Sequence, residues 1–266
     1  VEAYALPDVG TGLTLVPSGT VTSVNSGSNY AINFVNNTTG AITAKALTVT
    51  GLSLSDKVYD GNTTASITGT PALSGVIAGD VSNVSISGTA GGSFTAPTVG
   101  AKTITVTGLS LTGSASGNYT LTAPVVSGNI TKKTVTVTPD TGLTKVYGSS
   151  DPTLTYTPDA PLISGNSFTG ALSRTTGESV NTYAINAGNL SAGSNYDVVL
   201  GGAVTFAITQ KSITVTAATN SKEYDGTTSA SAIPVVTGGL AFGDTANFVE
   251  AYALPDVGTG LTLVPS

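Results

Sequence analysis

KTVTVT, residues 133–138, is the stretch whose reading decides the fold. Val135 and Val137 alternate with Thr134, Thr136 and Thr138, a period of two that sets one apolar and one polar face on a strand. Both residue types are β-branched, stiff at their first side-chain torsion and suited to a pleated surface. Two further runs carry the same pattern, ALTVT at 46–50 and KSITVT at 211–216. Each of the three follows a similar lead: GAITAK at 40–45, GNITKK at 128–133 and FAITQK at 206–211. With Leu47, Val135 and Ile213 as markers, the runs stand 88 and 78 residues apart. A longer period overlies them, because VEAYALPDVGTGLTLVPS at 1–18 returns unchanged at 249–266, a shift of 248. One long repeat therefore holds three modules of similar size.

Each module repeats its signals in order. KVYDGNTTA (57–65), KVYGSSDP (145–152) and KEYDGTTSA (222–230) come soon after the Thr-Val runs. GSNYAINF (27–34), SGNYTLTA (116–123) and GSNYDVVL (193–200) come late. Between them lie further strand candidates such as KTITVTGLSL (102–111) and TYAINAGNL (182–190). Gly, Asn, Asp and Pro clusters separate these roughly every 8–12 residues, the rhythm of sandwiches, and no long window shows helical period. The expectation is all-β: closed sandwiches of antiparallel strands over 46–132 and 133–210. A third module is split, its N-terminal half in 211–266 and its C-terminal half in 1–45. Superposing 249–266 on 1–18 splices the halves together. The short ITxK links contain no Gly or Pro, which predicts an elongated array. The splice predicts that 19–45 pairs with 211–248 of a neighbouring copy, head to tail, because an unpaired half-sandwich leaves open strand edges. The cut through a module favours an excerpt of a longer chain over a separate subunit.

Composition limits the function. The 266 residues include 33 Gly and no Cys, His, Met or Trp, and 9% are charged, with a net charge of −6. Nine scattered basic residues make no nucleic-acid stripe. No segment approaches the ~20 apolar residues that cross a bilayer, so no membrane insertion is expected here. Stability cannot come from disulfides. Without His or Cys, a base or nucleophile must be Asp, Glu, Lys, Ser or Tyr, and the acidic residues sit mostly in turn motifs. No enzymatic activity, cofactor or metal is expected.

The candidate residues read as architecture. Tyr59, Tyr147 and Tyr224 sit at the same place in each module, as aromatics packed at a sandwich end, with turns at Asp60-Gly61, Gly148 and Asp225-Gly226. Tyr30, Tyr119 and Tyr196 resemble a tyrosine corner, a hydroxyl bonding back to the chain. Asp80 and Asp244, each after Gly, invite a calcium reading, but no DxDxDG-like cluster supports it. The TxT runs are too far apart for a flat ice-binding plane. An isopeptide from Lys57 or Lys102 to an Asn has no spacing that singles it out.

KVYDGNTTA (57–65) and KEYDGTTSA (222–230) resemble the signature of the YDG domain. KVYGSSDPTLTY (145–156) with SRTTGESVNTYAI (173–185) resembles the MBG domain of the YGX type. The resemblance implies immunoglobulin-like modules of large secreted proteins of Gram-negative bacteria, adhesins or filamentous haemagglutinin-like proteins. It implies an extracellular spacer in a cell-surface fibre and no catalytic residues. The alternative is an adhesive module whose end loops bind glycan or a partner cell. Its 10 Tyr and 6 Phe fall mostly at repeat-equivalent core positions, whereas sugar sites expose aromatics.

Overall fold

Alternating Val, Ile and Thr produce strands throughout. The structure, a computed structural model, describes residues 1–25 and 27–266, so Ser26 of the 1–45 half-module lies outside it. It has two compact units, Val1–Lys133 and Thr134–Ser266. Among the described residues the only helical segments are two single 3-10 turns, Ala78–Asp80 and Ser116–Asn118.

The first unit opens with β1 (Glu2–Tyr4), β2 (Gly10–Pro17) and β3 (Asn37–Ile42), an antiparallel sheet in that order. A module follows: β4 (Lys45–Leu54), β5 (Lys57–Val58), β6 (Ile67–Ser74), β7 (Ser85–Gly91), β8 (Gly100–Thr105), β9 (Thr107–Thr112), β10 (Tyr119–Leu121) and β11 (Val125–Thr131). These sort into sheets β10-β4-β6, β5-β11-β8 and β7-β9. The period of two is visible in β4, where Leu47 and Val49 are buried and Thr48 and Thr50 exposed. Gly51 interrupts it with a bulge: its φ is +81°, and a Cβ there would lie 2.3 Å from the Thr70 carbonyl oxygen. The run 102–111 does not stay in one sheet. It breaks at buried Val106, whose N–H donates to Pro124 O, so β8 joins β11 while β9 joins β7. Leu47, Val84 and Tyr119 form a core with Leu73, Val76 and Leu111 against it.

The second unit takes all of β12 (Lys133–Pro139) but its first residue, then β13 (Thr144–Val146), β14 (Tyr156–Pro158), β15 (Ser173–Arg174), β16 (Asn181–Asn186), β17 (Tyr196–Leu200) and β18 (Thr205–Thr209). The sheets are β14-β12-β17 and β13-β18-β16-β15. Val137 from the first meets Ile185, Phe206 and Ile208 from the second in one buried cluster, the arrangement of a β-sandwich. Beyond it, β19 (Thr214–Thr216) pairs with β20 (Val235–Thr237), and β21 (Glu250–Tyr252) with β22 (Leu263–Pro265).

One expectation is corrected. The modules are not wholly antiparallel: β4·β10, β5·β11 and β13·β18 are parallel. An early strand and a late strand of a module lie side by side and run in the same direction across it. In the back half at 19–45, β3 is paired antiparallel along β2 of its own chain.

Phe206 is fully buried, so Phe206→Ala should cost about 3–5 kcal/mol through lost burial and the cavity left behind. Thr48→Ala, on an exposed face, should stay within about 0.5 kcal/mol. Urea midpoints of the two variants check this.

Candidate functional site

The tyrosine motifs sit where a module closes on itself. In the 46–132 module, β11 lies between β5 and β8. It runs parallel to β5 with Ile130 opposite Lys57 and Thr131 opposite Val58. The Tyr59 N–H then donates to Thr131 O at 2.9 Å, and the Thr131 hydroxyl to Lys57 O at 3.3 Å. The 133–210 module repeats this with β13 and β18: the Tyr147 N–H donates to Thr209 O at 2.8 Å, and the Thr209 hydroxyl to Lys145 O at 3.2 Å. Tyr59 is buried and Tyr147 half-buried, but Tyr224 is 68% exposed. Gly61, Gly148 and Gly226, directly after the tyrosine or the Asp that follows it, have φ of +79°, +85° and +77°, the left-handed turn conformation that favours glycine. Asp60 and Asp225 each accept the backbone N–H two residues on, from Asn62 and Thr227, as Asx-turns do.

The lysine two residues before each tyrosine is the part that sequence reasoning missed. Lys57 Nζ is 2.7 Å from Asp60 Oδ1, donates to Asn62 O, Asn62 Oδ1 and Thr64 O, and lies 5.7 Å from the Phe94 ring centroid. Lys222 Nζ does the same with Asp225, Thr227 O and Thr227 Oγ1, over Tyr252 at 5.6 Å. The ammonium therefore clasps the loop after the tyrosine. The signal was available, since all three motifs begin with Lys.

In the middle module the clasp becomes a four-charge cluster. Lys145, 7% exposed, pairs with Asp151 at 2.7 Å and with Glu178. Arg174 Nε and Nη2 take Asp151 in a fork at 2.7 and 3.0 Å, and Nη2 also reaches Glu178 at 2.7 Å. The guanidinium lies 5.1 Å from the Tyr183 ring centroid and 5.3 Å from that of Phe206. Two cations and two carboxylates leave no net charge. Arg174 and then Lys145 hold the Asp151 carboxyl at about 2, against an opposing push from burial. Lys145 and Arg174 likewise depress Glu178, and Asp151 with Glu178 raises Lys145. Lys222, then the Thr227 N–H and hydroxyl, hold Asp225 at about 2.

Two of the late tyrosines, Tyr119 and Tyr196, bond back to the chain among the described residues. The Tyr119 hydroxyl accepts the Ile77 N–H at 3.2 Å and donates to Asp80 Oδ2 at 2.7 Å, which raises the phenol's pKa. The Tyr196 hydroxyl accepts the Ile163 N–H at 2.9 Å. Tyr30 is 62% exposed. Asp80, weighed as a calcium ligand, is thus engaged by Tyr119, and Asp244 accepts the Tyr147 hydroxyl at 3.0 Å. Among the described residues no three His, Cys, Asp or Glu side chains converge to hold a metal ion.

The cluster gives a signed pH dependence. Asp151 has a folded value of about 2 against an unfolded one of about 3.9, so its contribution is full above about pH 5 and is lost as pH falls towards 2. The raised Lys145 acts at the other end, contributing fully below about pH 10 and less as pH rises through its folded value. Asp151→Asn should cost about 1–2 kcal/mol at pH 7, discounted because the carboxylate is 38% exposed, and should flatten the acid limb between pH 4 and 2. Urea midpoints across pH measure both.

No curated protein matches this chain. Two family models do, each over one module: residues 43–126 match the YDG domain, and residues 135–205 match the MBG domain (YGX type).

Proposed function

We propose that the chain is a structural repeat segment of an extracellular bacterial surface fibre, the stalk of an adhesin from a Gram-negative bacterium. Its immunoglobulin-like sandwich modules act as spacers, and neighbouring copies of the repeat are its partners, head to tail. The reading assigns the chain no catalytic step and no cofactor. What carries it is the parallel closure at β5·β11 and β13·β18. When the two ends of a module are pulled apart, parallel strands near its start and end are loaded in shear. Their ladder bonds then resist together instead of opening one at a time. The motif side chains support the same reading, because Lys57, Asp60, Asn62, Lys145, Asp151, Arg174 and Glu178 bond to one another or to nearby backbone.

Single-molecule stretching of the chain tests this. Residues 46–132 should give a discrete force peak followed by a gain in length of about 30 nm at roughly 3.6 Å per residue. Residues 133–210 should give a second, slightly shorter step. Extension without peaks would overturn the spacer reading.

A further inference from the structure

Of the three lysine clasps, only the one in the 46–132 module contains a carboxamide. Its amine, Lys57 Nζ, donates to Asn62 Oδ1 at 2.8 Å and lies 2.7 Å from Asp60 Oδ1. The other Asp60 oxygen, Oδ2, accepts the Asn62 side-chain amide N–H at 2.8 Å. One carboxylate thus touches both the amine and the amide nitrogen. The Thr64 backbone N–H donates to Asn62 Oδ1 at 3.0 Å. These contacts fix the amide's orientation, since its oxygen faces two donors and its nitrogen faces an acceptor. Further bonds from Nζ to the main-chain oxygens of Asn62 and Thr64, at 2.9 and 3.2 Å, hold the amine in place. In the equivalent turn Thr227 stands where Asn62 does, and Lys145 has only the carboxylates of Asp151 and Glu178.

The four groups hold the places that acyl transfer requires. Lys57 Nζ is the nucleophile and Asn62 Cγ the electrophile, one C=O bond of about 1.2 Å beyond the oxygen that Nζ already reaches. The Thr64 N–H stands where negative charge develops on Oδ1, as an oxyanion donor does. Asp60 stands between the attacking and the leaving nitrogen, the position of a general base that later acts as acid. Chain geometry supplies the proximity, because all four groups belong to one turn shaped by Gly61 at φ +79°.

We propose that Lys57 and Asn62 join in an intramolecular isopeptide bond, with Asp60 carrying the protons. Asp60 takes a proton from the Lys57 ammonium, and the freed lone pair attacks Asn62 Cγ while the carbonyl electrons move onto Oδ1. Asp60 passes its proton to Nδ2 and takes the second one from Nζ. The C–Nδ2 bond breaks, the carbonyl reforms, and ammonia leaves with the second proton as ammonium. One ammonium and one carboxamide become one secondary amide and one ammonium ion, with no oxidant, cofactor or water consumed. Asp60 is 47% exposed, so ammonia escapes directly to solvent. The step runs once per chain. It closes a covalent ring over 57–62 beside the β5·β11 pairing, so the loop after Tyr59 cannot peel away from β5. None of this depends on the spacer reading.

Mass spectrometry of the purified, denatured full chain tests it. The proposal expects a chain lighter than its sequence by one ammonia, a tryptic digest with the Lys57–Val58 bond uncut, and fragments that tie Lys57 to Asn62. Lys57→Arg and Asn62→Ala should each restore the sequence mass. Asp60→Asn should slow the loss by about 100-fold or more, the scale of general acid–base catalysis. A native chain at its sequence mass would overturn the bond without reference to any variant. So would an ammonia loss that survives Lys57→Arg, since an asparagine closing on its own backbone also releases ammonia. Linking of Asp60→Asn at the native rate would overturn the role given to Asp60.

Discussion

The parallel pairing of a module's closing Ile-Thr strand with the Lys-Val dipeptide before its tyrosine is the constraint on which the rest depends. It joins residues 73 positions apart, Ile130 to Lys57, and 63 apart, Ile208 to Lys145. Once it forms, the tyrosine N–H has an acceptor, the ring is covered, and the lysine stem is fixed so that its ammonium points into the following loop. An unpaired buried backbone donor costs about as much as a lost hydrogen bond, about 1–3 kcal/mol, so ring burial and strand pairing arrive together. Tyr59, with the strand present, is 6% exposed; Tyr224, without it, is 68% exposed.

The lysine clasp shows two solutions to one electrostatic problem. In the YDG loops the ammonium is satisfied by one aspartate and several oxygens close in sequence, Asn62 and Thr64 for Lys57. In the middle module the aspartate after the tyrosine is absent, since Gly148 follows Tyr147 directly. Lys145 is more deeply buried and draws on Asp151 and Glu178, with Arg174 balancing the second carboxylate. A buried ammonium left alone would be expensive, and a closed, hydrogen-bonded cluster removes that cost without adding much net stability. Such a cluster fixes which loop lies over which strand.

Strand chemistry was readable because β-branched alternation and turn clusters are local signals. β4 and β12 fall where ALTVT and KTVTVT place them. Less legible was where a run changes sheets. Residues 102–111 look like one strand, yet Val106 is anchored by Pro124 and splits it, a long-range event that no window of sequence carries. The parallel closures were invisible for the same reason. At the candidate site, the tyrosines, Asp60, Asp225 and the glycines were visible through repetition. The lysines were repeated too but passed over, because a charged residue beside a turn reads as solvated until its partners are known. Arg174 and Glu178 lie inside the quoted stretch 173–185, but their pairing with Lys145 and Asp151 is set by the sandwich and not by spacing.

Backbone hydrogen exchange at three equivalent amides tests the closing-strand account most directly. Tyr59 and Tyr147 N–H donate to Thr131 and Thr209, whereas Tyr224 is 68% exposed. The account predicts slow exchange at Tyr59 and Tyr147 with fast exchange at Tyr224. Equal protection of all three, or rapid exchange at Tyr59 and Tyr147, would contradict it.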